Sequence, residues 1–151
     1  MNAEKKLQEM GIELPPSSPP KALYIPVVQT GNLCFVSGQI PALNGDLIVG
    51  KVGEKLTLEE AQEAARVCAI DLLAALKAHL GDLDRIVRFV KLQAFVNSAE
   101  GFFKQHVVAN AASQFLYDVL GDAGRHARTA VGISALPMDV PVEIEAIVEV
   151  K

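Results

Sequence analysis

The chain contains no tryptophan, and only 5% of its 151 residues are aromatic. Half of the residues are nonetheless hydrophobic, which is enough apolar material to fill one core. With so few aromatic rings, that core must consist mostly of Val, Leu, Ile and Ala. The length is typical of one domain, so we expect one small domain with an aliphatic core.

An excess of basic charge is also missing, since the formal net charge is −4. Generic nucleic-acid binding depends on Lys and Arg that neutralise phosphates, so a nucleic-acid partner is not expected. No apolar run is long enough to span a membrane. The N-terminal MNAEKKLQEMGIELPP has scattered charges and lacks the apolar stretch of a signal peptide. These absences predict a cytoplasmic protein.

Cysteine and histidine are scarce and scattered. Cys34 and Cys68 lie far apart with no metal-ligand spacing, which favours two buried thiols over a disulfide or a metal site. We expect His79, His106 and His126 at the surface, near helix ends or in loops. That placement argues against a Ser-His-Asp centre and against a two-histidine ribonuclease. P-loop, GxGxxG, GxSxG and HExxH motifs are all absent.

The remaining sequence divides into a short N-terminal segment and one domain. Residues 4–10 have the pattern of an amphipathic helix that stops at Gly11. The proline-rich stretch from Leu14 to Lys21 predicts an ordered or semi-rigid connector. We therefore assign residues 1–20 to a helix and connector, and residues 21–151 to a single domain.

Strand and helix patterns alternate along that domain. Thr57 and Glu60 in TLEE form a capping-box pattern that begins a helix ending at Gly81. A second helix is predicted from about Phe102 to Leu120, and Asn44-Gly45 predicts a hairpin turn. The predicted strands are Tyr24–Gln29, Leu33–Ser37, Ile86–Val96, Thr129–Ala135 and Pro141–Val150. This order predicts an α+β fold, with a mixed sheet and both helices packed on one face.

The last predicted strand has two different faces. Its residues from Val142 to Val150 that alternate with the glutamates are uniformly apolar, and we expect them to meet the helices. The other face carries Glu143 and Glu145 and is mixed. A mixed face on a central strand is typical of a subunit interface that contains a polar site.

Two stretches are candidates for chemistry. SGQIP, from Ser37 to Pro41, is either a strand end with a glycine turn or a site loop where Gly38 lets backbone N–H groups approach a ligand. Arg128 is either a solvated arginine at the start of a strand, with Glu143 as a candidate structural partner, or an anion-binding group, because a guanidinium grips a carboxylate through two parallel hydrogen bonds. Spacing alone leaves both alternatives open.

Three blocks of sequence resemble the Rid family, also called YjgF or L-PSP (reactive intermediate deaminases). They are GNLCFVSGQIP at 31–41, the segment around KLQAFVNSAEGF, and ARTAVGISALPMDVPVEIEAIVEV at 127–150. The last block is the most specific, and the likeness extends from about Tyr24 onward. The resemblance implies a chorismate-mutase-like fold assembled as a homotrimer with clefts at its interfaces.

The resemblance also implies cofactor-free and metal-free hydrolysis of small 2-imino or 2-enamino acids to 2-oxo acids and ammonia. Arg128 would bind the substrate carboxylate, and Glu143 would act on the water or the imine nitrogen. The substrate-binding set would be completed by the remaining matched positions, which are Tyr24, Ser37, Gly38 and Asn110.

One departure keeps other functions open. Deaminase members usually carry a cysteine two positions after the arginine, where this chain has Ala130. A trimer that binds a 2-oxo acid without turnover is therefore an alternative. An RNA-cleaving translation inhibitor is a third, which the acidic charge and the lack of paired histidines count against.

Overall fold

A five-stranded mixed sheet covered on one face by two long helices forms the body of the protein, described for residues 2–17 and 22–151 by a computed structural model. Across the sheet the strands are β1 (Val27–Thr30), β2 (Leu33–Gln39), β7 (Val142–Val150), β5 (Ile86–Asn97) and β6 (Ala127–Ile133). β5 and β6 are parallel, and the other neighbours are antiparallel. The helices are α1 (Ala3–Glu9), α2 (Leu58–Leu80) and α3 (Gln105–Leu120). The predicted α+β arrangement is confirmed.

The core lies between the sheet and helices α2 and α3. Every second residue of β7, from Val142 to Val150, is buried toward the helices, whereas the residues between them are only partly covered. Phe89 and Phe115 are the aromatic rings of an otherwise aliphatic core. The predicted distribution of the two faces of β7 is confirmed.

Helix α2 begins where the capping-box pattern predicts. The Thr57 hydroxyl accepts a hydrogen bond from the Glu60 N–H, and the Glu60 carboxylate accepts one from the Thr57 N–H. Gly81 ends the helix with a φ of 80°, a left-handed conformation that favours glycine. Alanines such as Ala61, Ala64 and Ala65 are fully buried, so the helix can lie close to the sheet.

The predicted Asn-Gly hairpin is also confirmed. It joins β3 (Ala42–Leu43) to β4 (Asp46–Leu47), and Asn44 and Gly45 both have positive φ. Two successive left-handed residues are what a tight two-residue hairpin needs.

Four predicted elements have boundaries that need correction. β1 begins at Val27 and not at Tyr24, because Pro26 has no N–H to give to the sheet. β2 continues through Gly38 to Gln39. Helix α3 begins at Gln105, since a turn that closes from the Phe102 N–H to the Ala99 carbonyl precedes it. β6 lies two residues earlier than predicted at both ends, so Arg128 is inside the strand and not at its entrance.

Helix α1 packs on the same core as the rest of the chain. Ala3 and Leu7 are buried there, the Ala3 N–H donates to the Asp84 carboxylate, and Glu4 pairs with Lys77 of α2. The proposed division after residue 20 remains a prediction. Residues 18–21 of the proline-rich connector lie outside the described part of the chain.

Cys34 and Cys68 are both free and buried, as predicted. Across residues 2–17 and 22–151, none of the helices combines the length and the apolarity that crossing a membrane requires.

Candidate functional site

Arg128 lies on the helix-covered face of the sheet, at its edge. It is paired in register with Leu92 of β5, whose side chain is fully buried beneath the helices. Directly paired residues on neighbouring strands share a face, so Arg128 points toward the same side as Leu92. Because β6 is the edge strand, the guanidinium extends alongside helix α3.

Contacts with α3 fix one edge of this guanidinium. Its Nη1 donates to Asn110 Oδ1 at 2.9 Å and to Ser113 Oγ at 3.1 Å, and Nη2 makes a longer contact of 3.4 Å with the His106 carbonyl. Within the described part of the chain, the Nε–H has no hydrogen-bond partner. The Nε and Nη2 edge therefore presents the fork that binds a carboxylate through parallel hydrogen bonds.

Around Arg128 the surface forms a shallow depression of about 710 Å³, which we call the Arg128 depression. It is lined by Asn110, Ser113, Gln114, Tyr117, Gly124, Arg125, His126 and Arg128. This lining includes two arginines and no carboxylate, so it favours an anion. Three or more His, Cys, Asp or Glu side chains placed to hold a metal ion do not occur together anywhere in residues 2–17 and 22–151.

Ser113 and His126 are functional candidates that the sequence did not reveal. Ser113 Oγ lies 2.9 Å from His126 Nε2, and His126 Nδ1 lies 2.7 Å from the Gly124 carbonyl. Burial lowers the pKa of His126, Arg128 lowers it further, and the Gly124 contact opposes the change. His126 was expected at the surface, but it is partly buried. Two spacings in the sequence could have pointed to this pair: His126 precedes Arg128 by two residues, and Ser113 follows Asn110 by three.

Glu143 lies on the opposite face of the sheet. It is paired in register with Phe95 of β5, which is paired in turn with the exposed Val131 of β6. Burial raises the pKa of the Glu143 carboxyl, with a smaller contribution from Glu145. This carboxylate can therefore hold or release a proton closer to neutrality than an exposed glutamate.

Gly38 allows the backbone of β2 to lie directly beside Glu143. A Cβ on Gly38 would be 3.0 Å from both Cδ and Cγ of Glu143, which is closer than normal van der Waals contact. SGQIP contains the end of β2, as the first alternative predicts, but Gly38 makes no turn, because β2 continues through it to Gln39 with an irregularity in its pairing to β7. The glycine instead lets the strand lie close to the Glu143 carboxylate, where a side chain would be crowded.

Ser37 ties the segment after Tyr24 to β2. Its Oγ donates to the Ile25 carbonyl at 2.8 Å, and its N–H donates to the Pro26 carbonyl at 2.8 Å. Tyr24 precedes this anchored segment, and its side chain is 57% exposed. Ser37 thus holds the neighbouring backbone in place, and Tyr24 is available at the surface.

A groove on the open face of the sheet contains Ser37 but not Arg128. Its volume is about 420 Å³. Its walls are Val28, Phe35, Val36, Ser37, Lys91, Gln93, Glu145, Ala146 and Ile147. Val28 and Phe35 are 52% and 44% exposed, so the open face is mixed in character, as the sequence predicts.

The six predicted site residues do not meet in one chain. Arg128 and Asn110 are hydrogen-bonded on the helix-covered side, whereas Gly38 and Glu143 are in contact on the open side. The predicted alternative of a structural bridge from Arg128 to Glu143 is therefore wrong. The register places the two groups on opposite faces of the sheet, with β5 between their strands.

Comparison with known families identifies the fold. Residues 4–148 match the family described as "YjgF/chorismate_mutase-like, putative endoribonuclease". This chain belongs to the YjgF family. The chorismate-mutase-like fold implied by the resemblance is thereby confirmed.

Similar YjgF-family proteins include both unassigned proteins and deaminases. Protein TCP17 of Trypanosoma cruzi is 46% identical over 145 residues, covering 95% of this chain and 91% of that protein. The 2-iminobutanoate/2-iminopropanoate deaminase of Salmonella typhimurium is 35% identical over 128 residues, covering 82% and 84%. The crystal structure of Atu1372 from Agrobacterium tumefaciens, a protein of unknown function, is 46% identical with a TM-score of 0.92, covering 99% and 92%.

Proposed function

We propose that this chain hydrolyses small 2-imino or 2-enamino acids to 2-oxo acids and ammonia, without a cofactor. The observation that carries the proposal is the guanidinium of Arg128, held at one edge by Asn110 and Ser113 with its other edge free for a carboxylate. A YjgF-family relative named 2-iminobutanoate/2-iminopropanoate deaminase supports this choice of reaction.

The proposed reaction demands little of the protein. A protonated imine is already electrophilic, so hydrolysis needs a fixed substrate, one water and modest proton handling. A carboxylate clamp supplies several kcal/mol of the roughly 7–11 kcal/mol that ideal orientation can give. Arg128 lies in a partly buried position, where its hydrogen bonds to an anion are stronger than in bulk water.

We place the complete site between copies of this chain, in a homotrimer. Two observations support this. Arg128 and Glu143 lie on opposite faces of one sheet, so a substrate can contact both only where two copies meet. The open face also exposes Val28 and Phe35 around polar side chains, a composition suited to an interface. Arg128 of one copy would then hold the carboxylate, and Glu143 of another would handle a proton.

Replacement of Arg128 tests the proposed function directly. Freshly generated 2-iminopropanoate is mixed with purified protein, and ammonia release is compared with the spontaneous rate. We expect wild-type acceleration, a loss of about 100-fold or more in kcat/KM for Arg128→Ala, and weak rescue by Arg128→Lys, which lacks the planar fork. Arg66→Ala is the matched control and should keep full activity, because this partly exposed arginine of α2 contacts Glu63 and the Phe115 ring and none of the candidate site residues. An unchanged spontaneous rate at high wild-type concentration would refute deamination of this substrate.

A second candidate is a trimer that binds 2-oxo acids without turnover. Ala130 favours it, because this residue follows Arg128 on the same face of β6 and packs against the core without any polar group. Calorimetric titration with 2-oxobutanoate distinguishes the two. Binding that depends on Arg128 without any imine hydrolysis would select the binding protein.

A further inference from the structure

The connection between β6 and β7 joins the strand that carries Arg128 to the strand that carries Glu143. β5 lies between these strands in the sheet, so residues 134–141 cross over the end of β5. Asn97 is the last residue of β5 and lies at this crossing. Among the residues that the structure describes, it is the one polar residue that is completely buried. A buried amide needs hydrogen-bond partners, and Asn97 finds several of them in the connection.

Asn97 binds the connection through its side chain and its backbone. Its Nδ2 donates to Asp139 Oδ1 at 3.0 Å and to the Val140 carbonyl at 3.1 Å. Its N–H donates to the Pro141 carbonyl at 2.8 Å. One buried residue thus holds three successive residues directly before β7.

Lys51 holds the same connection from the loop before α2. Its Nζ donates to Asn97 Oδ1 at 2.9 Å and also to the Ser134 carbonyl, at the other end of the connection. The neighbouring Gly50 N–H donates to the Asp139 carbonyl at 2.7 Å. We call Lys51, Asn97 and Asp139 the crossover clamp. Together they fix both ends of the segment that crosses β5.

Part of this segment is held in an unfavourable backbone conformation. Met138 and Asp139 are consecutive residues with φ of 57° and 56°, a left-handed region that residues other than glycine rarely adopt. Such strain persists only where surrounding contacts enforce it, and it concentrates at functional sites. The crossover clamp supplies these contacts at Asp139, through its side chain and its carbonyl. Loss of the clamp should therefore let the connection relax.

The part of β7 that carries Glu143 depends on this clamp for its position. Phe95 is paired with Glu143 in register, and Asn97 follows Phe95 by two residues, so Asn97 and Glu143 belong to the same face of the sheet. On the other side, β7 is paired with β2 only as far as Ile144. Pro141, which Asn97 holds, precedes Glu143 by two residues. A shift of the connection would therefore move the Glu143 carboxylate.

We propose that the crossover clamp positions Glu143 for proton transfer, so that Lys51, Asn97 and Asp139 influence the rate of imine hydrolysis without touching the substrate. This inference rests on the proposed function, in which Glu143 handles a proton. Arg128 is fixed separately by α3 on the opposite face. A displaced Glu143 should therefore slow the chemical step and leave the binding of the substrate carboxylate unchanged.

The test replaces Asp139 by glycine, which offers no side-chain acceptor to Asn97 and adopts a positive φ without strain. Because relief of the strain offsets the lost hydrogen bond, the variant should fold, with a Tm within about 5 °C of wild type. We expect kcat for 2-iminopropanoate to fall about tenfold. KM and the calorimetric affinity for 2-oxobutanoate should stay within about threefold. Asp139→Asn keeps an acceptor oxygen and tolerates the left-handed region, so it should restore most of the rate.

Asn44→Gly is the matched control. Asn44 has a φ of 53° and is exposed in the hairpin between β3 and β4. Glycine there removes a similar strain without touching the crossover clamp. This variant should keep wild-type rates, which would show that relief of backbone strain elsewhere does not slow hydrolysis.

Two further comparisons separate positioning from general stability. Lys51→Met should lower kcat with little change in KM, because Asn97 loses its donor, and Lys51→Arg should recover part of the rate. In a Glu143→Gln background, which lacks the positioned carboxylate, Asp139→Gly should lower the residual rate little further. Circular dichroism and thermal unfolding establish that each variant is folded.

The outcomes separate this inference from the proposed function. If wild type is active and Asp139→Gly keeps its kcat, or loses another tenfold in the Glu143→Gln background, the clamp does not position Glu143 while the deaminase remains. A rise in KM as large as the fall in kcat would likewise refute the inference. If wild type does not accelerate hydrolysis at all, the proposed function fails and this inference fails with it.

Discussion

Gly38 lies so close to Glu143 that a side chain at position 38 would crowd the carboxylate. A Cβ at position 38 would be 3.0 Å from two side-chain carbons of Glu143. The φ angle of Gly38 is not positive, so replacing it by alanine would not strain the backbone at position 38. The absence of a side chain at Gly38 thus leaves room for the Glu143 carboxylate, at a point where the pairing of β2 with β7 is irregular.

Gly38→Ala should leave stability nearly unchanged and lower activity. We expect the free energy of unfolding to change by less than about 1 kcal/mol, since alanine lowers the entropy of the unfolded chain while crowding one flexible side chain. Imine hydrolysis should fall at least tenfold, because the Glu143 carboxylate is displaced. Chemical denaturation and steady-state rates measure the two effects.

A double-mutant comparison tests whether Gly38→Ala lowers activity through Glu143. In a Glu143→Gln background, Gly38→Ala should cause little further loss of activity, because residues that act through one group are not additive. A full additional loss there would show that Gly38 serves the site by some other means.

Asp71 on helix α2 supplies a pH-dependent prediction. Burial raises the pKa of its carboxyl from 3.8 to about 6. The folded state therefore binds more protons than the unfolded state between those values, and stability attributable to Asp71 is lost as pH rises through that window. Above it, the folded chain carries a partly desolvated charge.

Asp71→Asn should therefore stabilise the protein in neutral and alkaline solution. We expect a gain of about 1–2 kcal/mol at pH 8, which allows for the partial exposure of the side chain, and almost none near pH 4. Urea unfolding of both proteins from pH 4 to pH 8 measures the difference. A gain that is the same at every pH would show that desolvation of the charge is not the cause.

The capping box formed by Thr57 and Glu60 stabilises the start of helix α2. Two reciprocal hydrogen bonds with Glu60 satisfy N–H groups at the start of α2. Thr57→Ala should lower the free energy of unfolding by about 1 kcal/mol, and Thr57→Ser should recover most of it. Denaturant titration of the three proteins provides the measurement. Equal stability of the serine and alanine variants would refute the role of the hydroxyl.

The sequence predicts correctly those elements whose signals come from residues close together in the chain. The alternation in β7, the capping box of α2 and the Asn44-Gly45 turn each depend on residues a few positions apart, and all three are confirmed. The boundaries that were wrong depend on distant partners. β6 begins at Ala127 because that residue pairs with Lys91 of β5. The residues of β6 show no alternation of buried and exposed positions that would mark where the strand starts.

The candidate site was only half predictable for the same reason. The contact between Arg128 and Asn110 agrees with two residues that the resemblance selected. The face on which each strand residue lies, however, is set by pairing across the sheet. That is why the separation of Arg128 from Glu143 and the contact between His126 and Ser113 emerged only with the fold.

In the whole molecule, the residues of the proposed site form two separate groups on one chain. The Arg128 depression lies on the helix-covered side at the sheet edge, and Glu143 with Gly38 lies on the open side. In a closed homo-oligomer, each copy could contribute its arginine to one interface and its glutamate to the next. A ring of this kind makes catalysis depend on assembly.

Mixed oligomers test this dependence. Arg128→Ala and Glu143→Gln are each expected to be inactive alone, and light scattering should show that each still assembles. After unfolding and refolding together in equal amounts, about a quarter of the interfaces in randomly mixed rings would combine an intact arginine with an intact glutamate. Activity should therefore return to about a quarter of the wild-type level. If both residues acted from the same chain, no mixed oligomer would contain an intact site, and the mixture would remain as inactive as its components.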